Sequence, residues 1–201
     1  MDNFKNSIIY SGIFNRHLSL NEVQLILRRG ETVLGILLEI ILVLLIFSTA
    51  IFMHEMGHAI ATILLNKKAK AEIFMGSSSK EKKLKLKLGR ITCYLTVALN
   101  GFCRQSNWQE LPLASFKQRS FFLLGGPVAS LIGFVLLYMA STYFPGVAGN
   151  ILINLAGASF FLFATPLIPF NYPRFLGGGP SDGLQLMNLI KENRKQRNPV
   201  S

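Results

Sequence analysis

Three long apolar stretches dominate the pattern of hydrophobic and polar positions along the chain. They cover residues 33–65, 121–143 and 149–170. Each is long enough to cross a bilayer as a helix, because about 20 apolar residues span the hydrocarbon core. The first would be about 50 Å long at about 1.5 Å per residue, so it must tilt within or project from a core about 30 Å thick. The pattern predicts a mainly α-helical, polytopic membrane protein.

A different pattern lies between the first two stretches. Residues 83–88 read KLKLKL, a Gly-Arg pair follows, and residues 91–99 are rich in β-branched and aromatic side chains. Strict alternation followed by a turn signal predicts a two-stranded hairpin or small sheet, within about residues 72–100. The leucine face could enter lipid or pack on protein while the lysines meet lipid phosphates. An ordinary small cytosolic sheet would show the same alternation.

These patterns divide the chain into an N-terminal tail (1–32), a membrane-embedded core (33–186) and a basic C-terminal tail (187–201). Residues 18–27 carry apolar side chains at roughly helical spacing, which fits an amphipathic surface helix or a partly ordered tail equally well. His17 lies outside the apolar stretches and is interpreted as a surface residue. The first 17 residues lack the charged-then-apolar order of a signal peptide, so no cleaved segment is expected.

The composition is typical of a membrane protein and limits the kinds of partner that we expect. Half of the residues are hydrophobic, the mean hydropathy is +0.39, and the net charge is +11 with only 15% charged residues. A basic soluble protein would suggest nucleic acid, but no nucleic-acid-binding motif is present and the lysines lie between apolar stretches. Basic loops of a membrane protein report topology and attract anionic lipid headgroups. We therefore expect anionic lipid as a partner and no nucleic acid.

The distribution of basic residues predicts the orientation. Four lie before the first span, 12 lie between the first and second, and five follow the third. Placing the long loop and the C-terminus in the cytosol leaves the N-terminus outside, in a multi-pass protein of the cell membrane. Cys93 and Cys103 have no metal-type spacing and are interpreted as free thiols on a reducing side.

The motif HEMGH, residues 54–58, interrupts the first apolar stretch. On a helix, His54 and His58 share one face, so both imidazoles can bind one Zn²⁺, and Glu55 can reach a water molecule there as a general base. A structural polar cluster is the alternative. Three ionisable groups within five residues of a membrane span are costly, which favours a functional metal site.

A catalytic zinc site needs a third protein ligand. The chain has two aspartates: Asp2 at the terminus, and Asp182 in the segment GGGPSDGLQL just after the third span. Asp182 is the favoured ligand, although Ser-Asp-Gly is also ordinary turn chemistry. Glu39 lies 15 residues before His54, about 22 Å along a helix, and is too distant to share the metal.

Taken together, these residues resemble the site-2 protease family of intramembrane zinc metalloproteases. The resemblance covers about residues 51–186 and rests on the order HEMGH, the strand-like KLKLKLGRITCYLTVALNG, GGP opening the second span, and PLIPF and SDG after the third. It implies that His54, His58 and Asp182 bind zinc and that Glu55 is the general base. It also implies a three-span protease core with a membrane-associated β element.

The resemblance implies a zinc endopeptidase that cuts membrane-spanning or signal-peptide-like segments. The chain departs from the family's pattern in three places: Ser130 and Pro166 stand where the family often has asparagine, and Leu99-Asn100-Gly101 stands in place of its Pro-Gly-Gly. The departures at Ser130 and Pro166 support an alternative from another class, a catalytically degenerate membrane protein of the same fold that binds a partner helix. The glycines of GGPVAS fit either close packing on the HEMGH helix or a plain helix start.

Overall fold

The computed structural model describes residues 20–176 and 178–197, without side-chain detail at residues 20–31 and 175. The expectations for His17 and for most of the N-terminal tail lie outside these residues. Within them the fold is mainly helical, with a small sheet and three helices long and apolar enough to cross a membrane. This confirms the predicted mainly helical fold with a small sheet, and three helices are candidates for the expected membrane spans.

Four α-helices are present among the described residues: α1 (Leu20–Leu65), α2 (Phe116–Ser141), α3 (Gly146–Leu167) and α4 (Asp182–Arg197). The apolar candidates for membrane spans are Thr32–Leu65, Phe116–Ser141 and Gly146–Leu167. Helix α4 occupies a region that the sequence pattern predicts to be largely a C-terminal tail (187–201). Its apolar signal is weak because the helix is mostly polar, and three basic residues in its last turn complement the helix dipole.

The chain divides into two units, Met1–Leu42 and Val43–Ser201. In the first unit the structure describes the helical residues 20–42, and all side chains described there, residues 32–42, are exposed. Almost all of these exposed side chains are apolar. A helix that is apolar on all sides is compatible with lipid and not with water.

The second unit contains a four-stranded sheet in the order β2-β3-β1-β4. The strands are β1 (Ala71–Met75), β2 (Leu84–Leu88), β3 (Ile91–Leu95) and β4 (Gly101–Gln105). The expected hairpin is the antiparallel pair β2–β3, and β1 runs parallel to β3 and antiparallel to β4. Both cysteines are free, as predicted.

One face of the sheet packs on α1. Ala59 of α1 forms a buried cluster with Ala71 and Ile73 of β1 and Ile91 and Cys93 of β3. Because side chains alternate along a strand, every second residue of β1, β3 and β4 faces α1. The helix that carries HEMGH is thereby held against the sheet.

The opposite face of the sheet carries an aromatic stack under charged side chains. Phe74 is fully buried, and the Arg104 guanidinium lies 4.8 Å from the centre of its ring. Glu72 accepts hydrogen bonds from Lys80 at 2.8 Å and from Arg104 at 2.9 Å. Burial alone would raise the pKa of Glu72, but these two partners lower it.

Helices α1 and α2 approach each other closely through glycine. A Cβ on Gly57, inside HEMGH, would overlap the carbonyl of Gly125, and a Cβ on Gly125 would come within 2.6 Å of the carbonyl of Gly57. Only glycine at both positions permits this contact. The small residues of GGPVAS therefore serve close packing on the HEMGH helix, the first of the two interpretations above.

Candidate metal centre

His54 and His58 meet at the surface of α1 that faces α2. Four residues apart on a helix, their rings share one face, and their Nε2 atoms are 3.2 Å apart. Both residues are buried, at 6% and 4% exposure. Two imidazoles whose ring nitrogens point at one position are arranged as a pair of metal ligands.

Asp182 joins them from the first residue of α4. The preceding residue, Ser181, caps the helix: its Oγ accepts the N–H of Leu184 at 3.2 Å and donates to the carbonyl of Ile168 at 2.6 Å. This cap ties the start of α4 to the end of α3. It brings Asp182 Oδ2 to 3.2 Å from His54 Nε2 and 3.4 Å from His58 Nε2.

The three atoms fit one face of a zinc coordination tetrahedron. They form a triangle with sides of 3.2, 3.2 and 3.4 Å. Ligand atoms about 2.0–2.1 Å from a tetrahedral zinc ion lie about 3.3–3.4 Å from one another. The spacing of these atoms on His54, His58 and Asp182 is therefore that of three ligands to one zinc ion.

Hydrogen bonds on the far side of each imidazole orient the rings. His58 Nδ1 lies 2.6 Å from the carbonyl oxygen of Phe122 and 3.3 Å from the backbone nitrogen of Gly126. The carbonyl can only accept, and the shorter distance to it favours the tautomer with the proton on Nδ1, which leaves Nε2 available as a ligand. His54 Nδ1 lies 3.0 Å from Ser130 Oγ. Such outer contacts set the tautomer and basicity of metal-binding histidines. The sequence marks Ser130 only as a departure from the pattern of the family that the chain resembles, and gives no sign of its contact with His54.

Glu55 is buried next to this triangle, with 8% of its surface exposed. Its carboxylate lies within 4.8 Å of the ligand atoms of both histidines, so His54, Glu55 and His58 form an alternative ligand set. Asp182 is the better third ligand, because its oxygen is 3.2–3.4 Å from both imidazole nitrogens. Glu55 instead borders β4, where the backbone amide of Cys103 faces its carboxylate.

Gly126 on α2 has no side chain, and the two histidines occupy the space next to it. A Cβ at this position would overlap the Nε2 atoms of both His54 and His58. Glycine is required here for the approach of a side-chain pair, not for its backbone freedom. The GGP motif thus contains one glycine for helix packing and one for the candidate metal centre.

Two ionisable groups near the centre, Asp182 and Tyr172, lie outside the apolar helices and have shifted pKa values. Burial alone would raise the pKa of Asp182, but the hydrogen bonds and charges of His54 and His58 lower it to about 2. Burial, together with the charges of Asp182 and Glu55, raises the pKa of Tyr172 to about 12. Asp182 is therefore an anion at neutral pH, and Tyr172 keeps its phenolic proton nearby.

All four residues predicted from the sequence thus lie together: His54, Glu55, His58 and Asp182. No protein-family model matches the chain, and a search of curated proteins finds no match.

Proposed function

We propose that this chain is an intramembrane zinc endopeptidase that resembles the site-2 protease family. Its substrate would be a membrane-spanning or signal-peptide-like segment. The observation that carries the proposal is the triangle of His54 Nε2, His58 Nε2 and Asp182 Oδ2 beside a buried glutamate that is not needed as a ligand. Among the described residues no lysine or arginine pairs with Glu55, so its burial would be costly in a purely structural polar cluster.

The proposal includes a multi-pass arrangement in the cell membrane. Three apolar helices and the excess of basic residues in the long loop and C-terminal segment support it, with the N-terminus outside and the C-terminus in the cytosol. His54 lies 11 residues before the end of α1, about 16 Å along the helix. This depth would put the centre within the bilayer and nearer to its cytosolic side.

In the proposed reaction, water adds to the scissile carbonyl and the C–N bond breaks. A bound zinc ion would supply Lewis acidity, polarising that carbonyl and making water more acidic. Glu55 accepts the proton that water loses and delivers it to the departing amine. Ser130 and the carbonyl of Phe122 hold the two imidazoles in place while this occurs. Burial of the centre excludes bulk water from competing with these contacts.

The substrate must be extended where it is cut, because a helix buries its carbonyls in its own hydrogen bonds. Strand β4 supports binding of such a segment next to Glu55. The backbone N–H and C=O groups of Phe102 and Arg104 form hydrogen bonds with β1. Those of Gly101, Cys103 and Gln105 therefore point away from β1. Among the described residues no strand lies beside this edge, so an extended peptide can pair with it at the place where the Cys103 amide faces Glu55.

Strand β2 supports contact with anionic lipid. All five of its residues are exposed. Leu84, Leu86 and Leu88 pair with residues on the α1-facing side of the sheet, so the leucines extend the apolar surface of the helices while Lys85 and Lys87 face the other way. This arrangement suits a strand at the headgroup level, with lysines at lipid phosphates.

The lipid contact is tested with a double variant, Lys85→Gln and Lys87→Gln. Wild-type protein in nanodiscs should melt at a higher temperature when phosphatidylglycerol replaces phosphatidylcholine, and the variant should lose most of that difference. Equal shifts in both proteins would argue against the lysines as the lipid-binding groups.

The function is tested by metal analysis and cleavage. Purified wild type should contain one zinc per chain, and His54→Ala and Asp182→Ala should lose it. Glu55→Gln should keep zinc and lose cleavage of a panel of single-span substrates. The matched control is Glu39→Gln, which changes a glutamate 16 residues earlier on the same helix and should retain both.

Two outcomes would contradict the proposal. Full activity in Glu55→Gln would exclude the mechanism. Full zinc occupancy with no cleavage of any substrate, together with tight co-purification of a membrane partner, would favour the non-catalytic binding protein instead.

A further inference from the structure

A second feature of the fold is a cavity of about 430 Å³ next to the metal centre. It lies between the last two turns of α1, the start of α2, the end of β4 and the second and third turns of α4. Its volume is within the range of ligand-binding pockets, about 300–1,000 Å³. None of the metal-centre residues named above except Phe122 lines it.

The cavity is directly adjacent to the candidate metal centre. Phe122 is one of the residues that line the cavity, and the centroid of its ring is 5.0 Å from that of His58. Thr62, also in the lining, donates a hydrogen bond to the carbonyl of His58 at 2.9 Å. Gln185 lies one helical turn beyond Asp182 on α4. A ligand in the cavity would therefore sit beside whatever occupies the centre.

Amide side chains give the lining its chemistry. Five of the lining residues are asparagine or glutamine: Asn66, Gln105, Gln118, Gln185 and Asn188. Gln118 and Gln185 use their amide N–H groups on the carbonyls of Leu65 and Pro180. Among the described residues, no protein group hydrogen-bonds to the side-chain amide of Gln105, which is half-buried, or of Asn188, which is exposed, so both are available to a ligand. Each offers a donor and an acceptor at adjacent atoms, which matches the polar side chain of an asparagine, glutamine or serine in a ligand.

The charge of the lining points to an uncharged ligand. Within residues 20–176 and 178–197, the charged residues of the lining are Arg119 and Glu192, and they pair with each other at 3.5 Å. No unbalanced charge remains to attract an anion or a cation. Apolar walls from Leu65, Leu123 and Leu189 further disfavour a charged group.

The position of Gln105 connects the cavity to the cleavage site. Gly101 at one end of β4 borders Glu55, and Gln105 at the other end lines the cavity. Four residues of extended chain cover about 13 Å. A peptide paired with the free edge of β4 and cut beside Glu55 would run directly into the cavity.

We propose that this cavity binds the segment of the substrate that follows the scissile region on the cytosolic side, and that it selects an extended, uncharged polar sequence through the amides of Gln105 and Asn188. This inference rests on the proposed function for the position of the cut. It adds a binding site and a substrate class: an apolar span followed by a flank rich in asparagine, glutamine or serine.

The test measures binding to a variant that cannot cut. The probes are three synthetic peptides with the same apolar span of about 20 residues, followed by a Gln/Asn/Ser flank, a Gly/Ala flank or an Asp/Glu flank. Fluorescence anisotropy gives the dissociation constant of each for the Glu55→Gln protein in nanodiscs. We expect the Gln/Asn/Ser peptide to bind most tightly.

The cavity variant adds Gln105→Leu and Asn188→Leu. It should weaken binding of the Gln/Asn/Ser peptide about tenfold, since two hydrogen bonds to the ligand are lost, and should leave the Gly/Ala peptide unchanged. The matched control adds Gln109→Leu and Asn154→Leu, two exposed amides outside the cavity. It should bind all three peptides as the parent does.

Equal binding by the cavity variant and the control would overturn the inference, as would no binding of any peptide or a preference for the Asp/Glu flank. Cleavage of the same peptides by the protein with Glu55 intact is measured separately. Binding with the expected selectivity but without cleavage would contradict the proposed activity alone, whereas Glu55-dependent cleavage without selectivity would contradict the cavity assignment alone.

Discussion

The hydroxyl of Ser130 is the most informative single group to remove. Ser130 is 1% exposed, and its Oγ lies 3.0 Å from His54 Nδ1. Alanine at this position leaves a buried imidazole nitrogen without a partner, which costs about 1–3 kcal/mol. Part of that cost falls on metal binding, because the ring loses its fixed orientation, so we expect the zinc dissociation constant to rise about 10–100-fold.

Zinc competition against a chromophoric chelator measures this change directly. The matched control is Ser159→Ala, since Ser159 is also 1% exposed but its Oγ donates to the carbonyl of Leu155 on its own helix. Both variants remove one buried hydroxyl, so both should lower the melting temperature by a few degrees. Only Ser130→Ala should weaken zinc binding, and excess zinc should restore its cleavage activity.

Equal zinc affinities for the two serine variants would refute the role given to Ser130. So would a loss of activity in Ser130→Ala that excess zinc does not restore, because the defect would then lie in a step other than metal binding.

Three further predictions concern the metal centre and the sheet. Asp182→Asn keeps the shape of the side chain but removes its charge, so zinc content should fall well below one per chain while elution in size-exclusion chromatography is unchanged. Gly126→Ala should also lose zinc, because its methyl group overlaps both imidazoles, whereas Gly157→Ala, with nothing within 4 Å of the new Cβ, should keep it. Glu72 has a lowered pKa in the folded protein, so it stabilises the sheet fully above its ordinary value of 4.5 and loses this contribution as the pH falls through the lowered one. The difference in melting temperature between the wild type and Glu72→Gln should therefore shrink at acidic pH, and a constant difference down to pH 3 would contradict the assignment.

Several elements of the fold could be predicted because their signals are local. The apolar stretches are long enough to identify helices without knowledge of their neighbours, and the KLKLKL alternation identified β2 before any pairing was known. Helix α4 was not predicted. Its polar composition gives no periodic apolar pattern, and its start depends on the Ser181 cap, which is formed by contacts with the end of α3.

The order of the sheet also required the tertiary structure. β4 lies beside β1 instead of following β3, so the strand next to Glu55 is separated from its sheet neighbour by 25 residues. Sequence patterns report which residues form strands, whereas the pairing depends on how the strands pack on α1.

The candidate metal centre likewise combines features that the sequence predicts with features that required the tertiary structure. The sequence by itself determined that His54 and His58 share a face of one helix, that Glu55 is adjacent, and that Asp182 is the favoured partner, because helical spacing and residue chemistry are local properties. Only the tertiary structure decided that Asp182 reaches the histidines across 124 residues of chain. It also placed Ser130 and the Phe122 carbonyl next to the imidazoles and Gly126 where the rings need space. Those contacts depend on how closely α1, α2 and α4 approach one another, and the distance between helices is set by packing that no local pattern contains.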